Sequence, residues 1–262
     1  STRKESSAAS DVYKRQVKRI ESLGKIETAH RALNVCGQVF RNAVQTGRAE
    51  RDVTANLKGA IPPHEVKHYP TFTEPKDIAK FLRDTDGLRS GFTVKCALKM
   101  ATMLFVRPGE LRMAKWKDID LDAAEWRYVV SKTKTDHIVP LCKQAIAIFR
   151  ELYPFSGYGE YVFQGARDPK KPMSDGTVNS AIRRLGYCTK TQITGHGFRA
   201  MARTALHERL EIDPHIIEHQ LAHRVPDALG QAYNRTKFIK QRKVIMQTWA
   251  DYLDQLKVDS QE

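Results

Sequence analysis

A proline-rich stretch divides the chain and limits what it can fold into. The segment AIPPHEVKHYPTFTEP, residues 60–75, contains four prolines and no sustained apolar period. Proline lacks a backbone N–H and restricts the residue before it, so such a stretch interrupts both helices and sheets. We therefore predict a linker over residues 60–73, between a small unit at 17–59 and a larger unit at 74–262.

The small unit has a helical pattern. Between residues 17 and 46, apolar side chains recur at helical spacing and are interrupted at Gly24, which predicts a small helical unit. Residues 1–16 fit no element, and we expect them to be disordered or to lie at the edge of a truncated chain.

The larger unit is predicted to be mostly helical. Residues 92–106, FTVKCALKMATMLFV, are apolar nearly all round and predict a central buried helix. Residues 125–141, EWRYVVSKTKTDHIVPL, alternate and turn, which predicts an antiparallel hairpin. The fold class is thus mainly α with a small antiparallel β-sheet (α+β). The other predicted helices cover 74–86, 142–153, 176–185, 196–209, 213–222, 228–233 and 238–256.

The charge favours a polyanionic partner. Forty-four Lys and Arg residues against 30 Asp and Glu give a formal net charge of +14, which indicates nucleic acid before membrane. The four cysteines form no CxxC pair, and no apolar stretch approaches the length of a membrane span. We expect a cytoplasmic protein with reduced thiols and no structural zinc.

The segment RPGELR interrupts the pattern after the central helix. Pro108 suits the first position of a helix and pushes Arg107 into an extended conformation. The Arg107 side chain then leaves the chain at a helix N-terminus, where anions are favoured. Glu110 can reach back to a capping amide or to the Arg107 guanidinium. Taken alone, the segment is more typical of a capped turn with a surface arginine than of a functional site.

Three further segments carry reactive side chains. In HGFR, His196 and Arg199 would share one helix face. Tyr233 precedes basic residues, whose charges favour a phenolate. In the turn SKTKTDH, Lys132 or Lys134 can enter a DNA groove or deliver a proton. Each segment can also be explained by structure alone: His196 as a residue at the start of a helix, Tyr233 as a packed aromatic side chain, and SKTKTDH as a solvent-exposed turn.

Together these segments resemble the tyrosine recombinase (phage integrase) family. The matching pieces, in order, are RPGEL, SKTKTDHIVPL, HGFR, LAH and AYNR. The segments IETAHRALNVCGQVFRNAVQTGRAERDVTANL, DPHIIEHQLAH and IMQTWADYL look in particular like integrases of satellite phages and genomic islands. The resemblance implies a DNA breaking-rejoining catalytic domain at 74–262, preceded by a truncated core-binding domain at 17–59.

The resemblance also implies a mechanism. The nucleophile would be Tyr233, and its product a covalent 3′-phosphotyrosine. Arg107 and Arg199 would clamp the phosphate, His196 and His223 would add hydrogen bonds or accept the phenol proton, and Lys132 would be the general acid, with Lys134 as second choice. Glu110 would hold Arg107, and the DNA-binding candidates are Lys134, Arg235 and Lys237.

The expected partner is duplex DNA at attachment-type sites, bound as a tetramer, with a monomer or weak oligomer in the absence of DNA. Accessory DNA-bending and directionality proteins are possible partners, a membrane is not, and no cofactor or metal is expected. Relatives usually carry a further N-terminal DNA-binding domain and a fuller core-binding domain. We therefore expect this chain to cleave DNA yet recombine poorly by itself.

Three alternatives stay open. Type IB topoisomerases use a similar set of side chains to relax DNA. A DNA-binding protein without catalysis would need the charge but not the reactive set. A zinc peptidase is suggested by His215, Glu218 and His219, which fit the H-x-x-E-H pattern, although this reading leaves RPGEL, HGFR and AYNR unexplained.

Overall fold

The computed structural model describes residues 2–57, 59–63, 68–223 and 238–259. The chain divides into two compact units, Ser1–His68 and Tyr69–Glu262, and the boundary falls within the predicted linker. No helix in the described ranges is long and apolar enough to cross a membrane.

The first unit is a helical hairpin. Helix α1 spans Thr2–Ser22 and helix α2 spans Ile26–Gln45, with Gly24 between them at φ +72°. Val17 and Ala29, one from each helix, are buried together with Ile61. A 3₁₀ turn at Ala55–Leu57 follows.

The expectation that residues 1–16 fit no element is wrong for residues 2–16. They continue α1 because the segment contains neither glycine nor proline and is rich in good helix formers such as Ala, Lys, Arg and Glu. In α2 the apolar positions are only partly covered: Val35 and Val39 are 57% and 62% exposed.

The second unit is helical around a small sheet, which confirms the predicted fold class. Its elements are α3 Pro75–Asp86, α4 Phe92–Leu104, α5 Pro108–Arg112, β1 Ile119–Asp120, β2 Glu125–Val129, β3 Asp136–Pro140, α6 Lys143–Ser156, α7 Thr177–Arg184, α8 Gly197–Glu208, α9 Pro214–Gln220 and α10 Ile239–Asp259. The helix predicted at 228–233 lies outside the described residues.

Helix α4 is the centre of this unit, as its apolar pattern predicts. Ala97, Leu98 and Met100 are fully buried within the main core. Helix α10 packs against α4, and the Trp249 indole N–H donates to the carbonyl oxygen of Thr102 at 3.2 Å. The packing brings the last helix of the chain onto the element that leads directly into Arg107.

Helix α4 ends where Phe105 adopts a left-handed conformation, with φ at 39°. Arg107 is then extended, with ψ at 138°, and Pro108 occupies the first turn of α5. Phe105 is 1% exposed, so tertiary packing holds this unfavourable backbone conformation in place. The chain thereby turns between two helices at the position where RPGELR predicts a break.

The predicted hairpin is formed by β2 and β3. These strands pair antiparallel with Trp126 opposite Val139 and Tyr128 opposite His137. A third strand, β1, pairs with β2. The sequence pattern does not reveal β1 because two residues are too few to establish an alternation.

Candidate active site

Arg107 is the N-cap residue of α5, and its side chain bridges two parts of the second unit. Its Nη1 donates to Glu110 Oε1 at 3.1 Å, and its Nη2 donates to the carbonyl oxygen of Ala222 at 3.2 Å. The side chain is 19% exposed. Arg107 is therefore a fixed, partly buried cation rather than a mobile surface residue.

Glu110 braces Arg107 from two sides. Its Oε2 accepts from the Arg107 backbone N–H at 3.3 Å and from the Tyr128 hydroxyl at 3.0 Å. The Tyr128 pKa is raised well above its usual value by burial and by the neighbouring Glu110 charge, so the hydroxyl remains a proton donor. Tyr128 thus connects strand β2 to the Arg107 site.

Arg199 lies on the first turn of α8 and is buried. Its Nη1 donates to the carbonyl oxygen of Phe105 at 3.0 Å, and its Nη2 donates to that of Leu221 at 2.7 Å. Burial, reinforced by the nearby positive charge of Arg107, lowers the Arg199 pKa to about 10. The group remains protonated at neutral pH, but its charge is destabilised, and a bound anion would relieve that cost.

The C-terminal end of α9 brings both arginines to one place. Consecutive carbonyl groups, those of Leu221 and Ala222, accept from Arg199 and Arg107 respectively. Ala222 has φ at 51°, a left-handed conformation that residues other than glycine seldom adopt. Ala222 lies immediately before His223, whose backbone N–H donates to the Glu218 carbonyl oxygen at 3.0 Å.

His223 lies beside Arg199. The distance between its Nε2 and Arg199 Nη2 is 3.0 Å, and its Nδ1 lies 2.5 Å from Glu218 Oε2. Glu218 Oε1 also accepts from Arg203 Nε at 2.6 Å. Burial would raise the Glu218 pKa, but the hydrogen bonds from Arg203 and His223 lower it below its usual value, so the carboxylate is charged.

His196 precedes α8 as its N-cap residue, and its ring stacks on Tyr69 with centroids 4.7 Å apart. Partial burial and the positive charges of Arg199 and Arg107 lower the His196 pKa below its usual value. The ring is consequently neutral at pH 7 and able to accept a proton.

Lys132 and Lys134 are on the turn between β2 and β3, and both are exposed. The Lys134 amide donates to the Val130 carbonyl at 2.8 Å, and Lys134 has φ at 55°. The hairpin is tied to the arginines through Tyr128 and Glu110. Lys132 stays the predicted general acid, with Lys134 as the second choice.

Three predicted site residues, Tyr233, Arg235 and Lys237, lie outside the described residues. The structure therefore brings together Arg107, Glu110, His196, Arg199 and His223, and it leaves the nucleophile as a prediction.

The zinc-peptidase pattern forms a different set of contacts. Its glutamate, Glu218, bonds Arg203 and His223, whereas the nearest ring nitrogens of His215 and His219 lie 3.3 Å apart. Among the described residues, no group of three His, Cys, Asp or Glu side chains could hold a metal ion.

Sequence reasoning missed Tyr69, Tyr128 and Ala222 as parts of the site. Tyr128 had a weak signal, because it lies in the predicted hairpin, but nothing in the sequence pairs it with Glu110. Tyr69 lies in the proline-rich stretch, where no period assigns a direction to a side chain. Nothing in the local sequence indicates the left-handed conformation of Ala222.

The arrangement is suited to binding a tetrahedral anion. Two guanidinium groups, anchored to backbone carbonyl oxygens, each retain N–H donors for a ligand, and two imidazole rings lie next to them. Guanidinium groups bind phosphate oxygens through paired hydrogen bonds.

Comparisons with known proteins agree with this geometry. Residues 71–239 match the phage integrase family, and residues 9–60 match the phage integrase central domain. The integrase of Enterobacteria phage P4 is 36% identical over 253 residues, which cover 91% of this chain and 57% of that protein. The chain thus spans little more than half the length of this relative.

Solved structures share the fold at lower identity. A lambda integrase dimer bound to a COC′ core site is 20% identical, with a TM-score of 0.63, covering 82% of this chain and 79% of that chain. A lambda integrase tetramer bound to a Holliday junction is 19% identical, with a TM-score of 0.62, covering 85% of this chain and 66% of that one.

The family match covers most of the second unit, including Arg107, Glu110, His196, Arg199 and His223, and the P4 relative extends the likeness over nearly the whole chain. These matches confirm the resemblance drawn from the sequence motifs: the chain belongs to the phage integrase family of tyrosine recombinases.

Proposed function

We propose that this chain is a site-specific recombinase that cleaves and rejoins duplex DNA through a 3′-phosphotyrosine at Tyr233. One observation carries the proposal: Arg107 and Arg199, distant in sequence, donate to the adjacent carbonyl groups of Ala222 and Leu221. Two fixed cations thus lie in one site, next to His223, and His223 precedes Tyr233 of the AYNR motif by ten residues in the sequence.

The arginine pair would stabilise the transition state. When the Tyr233 oxygen attacks the scissile phosphorus, a phosphorane forms that carries additional negative charge on its non-bridging oxygens. Arg107 and Arg199 would donate hydrogen bonds to these oxygens from positions that need little rearrangement. Because their anchoring carbonyl groups belong to a folded turn, the two arginine side chains are already ordered before DNA binds.

Proton transfer would involve three further residues. His196 is neutral at pH 7 because its pKa is lowered, so it can take the phenol proton of Tyr233. The P–O5′ bond then breaks as the P–O bond to tyrosine forms, and the leaving 5′-oxygen takes a proton from Lys132, with Lys134 as the alternative. His223 would donate a hydrogen bond to the phosphate.

The product would retain the energy of the broken phosphodiester bond. A 5′-hydroxyl of another strand can attack the phosphotyrosine, reform a phosphodiester and release the tyrosine. The cycle balances without ATP, and we propose that it uses no metal or other cofactor.

We propose duplex DNA at attachment-type sites as the substrate, in integration or excision of a mobile element, with the chain acting as a tetramer in the cytoplasm. The likeness to lambda integrase, solved as a dimer on a core site and as a tetramer on a Holliday junction, supports this assembly. The first unit, which matches the integrase central domain, would bind the same duplex, and accessory DNA-bending and directionality proteins would assist.

A nicked suicide duplex tests the proposal. Its sequence is the direct repeat that borders the element encoding this chain, and cleavage beside the nick releases a short strand and prevents religation. We expect a covalent protein–DNA adduct with the wild-type chain and none with Tyr233→Phe. No adduct on the repeat would refute the proposal. Relaxation of supercoiled plasmid lacking the repeat, at a rate matching adduct formation, would favour the topoisomerase alternative.

A further inference from the structure

Glu218 belongs to the H-x-x-E-H pattern but contacts the arginine site instead of a metal ligand set. It lies on α9, and its side chain is 22% exposed. One carboxylate oxygen accepts from Arg203 at 2.6 Å, and the other lies 2.5 Å from His223 Nδ1. The carboxylate is thus held from both sides.

These contacts define the protonation of the His223 ring. A carboxylate only accepts hydrogen bonds, so the proton shared with Glu218 must belong to His223 Nδ1. The other ring nitrogen, Nε2, then faces an N–H of Arg199 at 3.0 Å as an acceptor in the neutral ring. Glu218 therefore fixes both the tautomer and the direction in which Nε2 points.

A bound phosphate would change His223 Nε2 from a hydrogen-bond acceptor into a donor. An oxygen that takes the Arg199 hydrogen bond also comes within reach of His223, and the ring can bind that oxygen only as a donor. Nε2 must then carry a proton, which leaves the ring positively charged. Among the described residues, Arg199 from α8 and Glu218 from α9 contact the ring directly, and Arg203 reaches it through Glu218. Of these three side chains, Glu218 is the anion.

We propose that Glu218 is a positioning residue for DNA cleavage: it holds His223 with Nε2 directed at the scissile phosphate and stabilises the charged form of the ring. Arg203 keeps the carboxylate in place. The inference rests on the proposed function, because it assigns a purpose to His223 in the same reaction.

A double-mutant cycle with His223 tests this role. Single-turnover cleavage of the suicide duplex is measured for Glu218→Ala, His223→Ala and the double variant, and DNA affinity is measured for each. Loss of a hydrogen bond to a charged ring predicts that Glu218→Ala cleaves about 10- to 100-fold more slowly with DNA affinity little changed. In the His223→Ala background the same substitution should have almost no further effect.

Two further variants complete the design. Glu218→Asp keeps the charge and should restore part of the rate, whereas Glu208→Ala, an exposed glutamate at the end of α8, removes the same charge and should cleave like wild type. Nitrogen NMR of the free protein should show His223 protonated at Nδ1, and Glu218→Ala should remove that preference.

The outcomes separate the two proposals. A wild-type chain that forms no adduct overturns the proposed function and this inference together. Wild-type cleavage with an equal rate for Glu218→Ala overturns the inference alone. The inference alone is also overturned if Glu218→Ala slows cleavage equally in the wild-type and His223→Ala backgrounds. A wild-type His223 ring protonated at Nε2 instead of Nδ1 would overturn it as well.

Discussion

Replacing Arg107 by lysine keeps the positive charge at the site but removes the guanidinium fork. In the free protein this fork reaches Glu110 and the Ala222 carbonyl through separate nitrogens, at 3.1 and 3.2 Å. A lysine has one nitrogen on a flexible stem and cannot hold both positions while also donating twice to a phosphate.

The expected loss follows from one hydrogen bond. In the transition state Arg107→Lys would forfeit one charge-assisted bond to a phosphorane oxygen, worth about 2–3 kcal/mol. At 1.36 kcal/mol for each tenfold change, cleavage should slow by about 30- to 150-fold. Folding should change by only about 1 kcal/mol, because Glu110 keeps its bonds to Tyr128 and to the residue 107 amide.

The assay is single-turnover cleavage of the suicide duplex, with urea unfolding of each variant measured alongside. Arg112→Lys is the matched control: it lies in the same short helix and loses a fork that donates to the Met173 carbonyl, away from the site. We expect the control to cleave at the wild-type rate. Two results would refute the role given to the Arg107 fork. One is that Arg107→Lys cleaves within threefold of the wild-type rate, and the other is that Arg112→Lys cleaves as slowly as Arg107→Lys.

Three further results are expected. Burial and the nearby arginines lower the His196 pKa, so a reaction that needs a neutral His196 ring should continue at pH values down to the usual histidine pKa. The acid limb of the pH profile of the second-order cleavage rate should therefore have its midpoint below 6.5. A midpoint above 6.5 would show that His196 is not the base. Ala222→Gly should relieve the left-handed strain and stabilise the fold by about 0.5–1 kcal/mol in urea unfolding, and a destabilised variant would contradict this. Tyr128→Phe should lower the free energy of unfolding by about 1–2 kcal/mol, because the hydrogen bond to Glu110 is lost. Its effect on cleavage should be smaller than that of Arg107→Lys. An unchanged unfolding curve would show that this hydrogen bond contributes nothing to stability.

Local signals made part of the site predictable. The conformation of Arg107 follows from Pro108, and Glu110 lies three residues further on, within reach of the Arg107 amide and side chain. The spacing of His196 and Arg199 follows the helix period in the same way. The central helix and the hairpin were readable because their apolar patterns extend over a full element.

The remaining features depend on contacts between distant segments. Tyr128 acquires its role through Glu110, eighteen residues before it, and Arg199 through the Phe105 and Leu221 carbonyl groups. No local pattern encodes which carbonyl a buried guanidinium will meet. Glu218 was assigned to a possible metal site because a short motif records spacing but not the direction of the side chain.

The identity of the nucleophile is the central claim, and mapping the DNA-linked peptide tests it most directly. After cleavage of the suicide duplex, nuclease and trypsin digestion should leave the nucleotide on the peptide VPDALGQAYNR, residues 225–235, whose one tyrosine is Tyr233. Mass spectrometry should find a phosphonucleotide on that tyrosine and nowhere else. A nucleotide attached to another peptide, or to a different side chain within this one, would contradict the account.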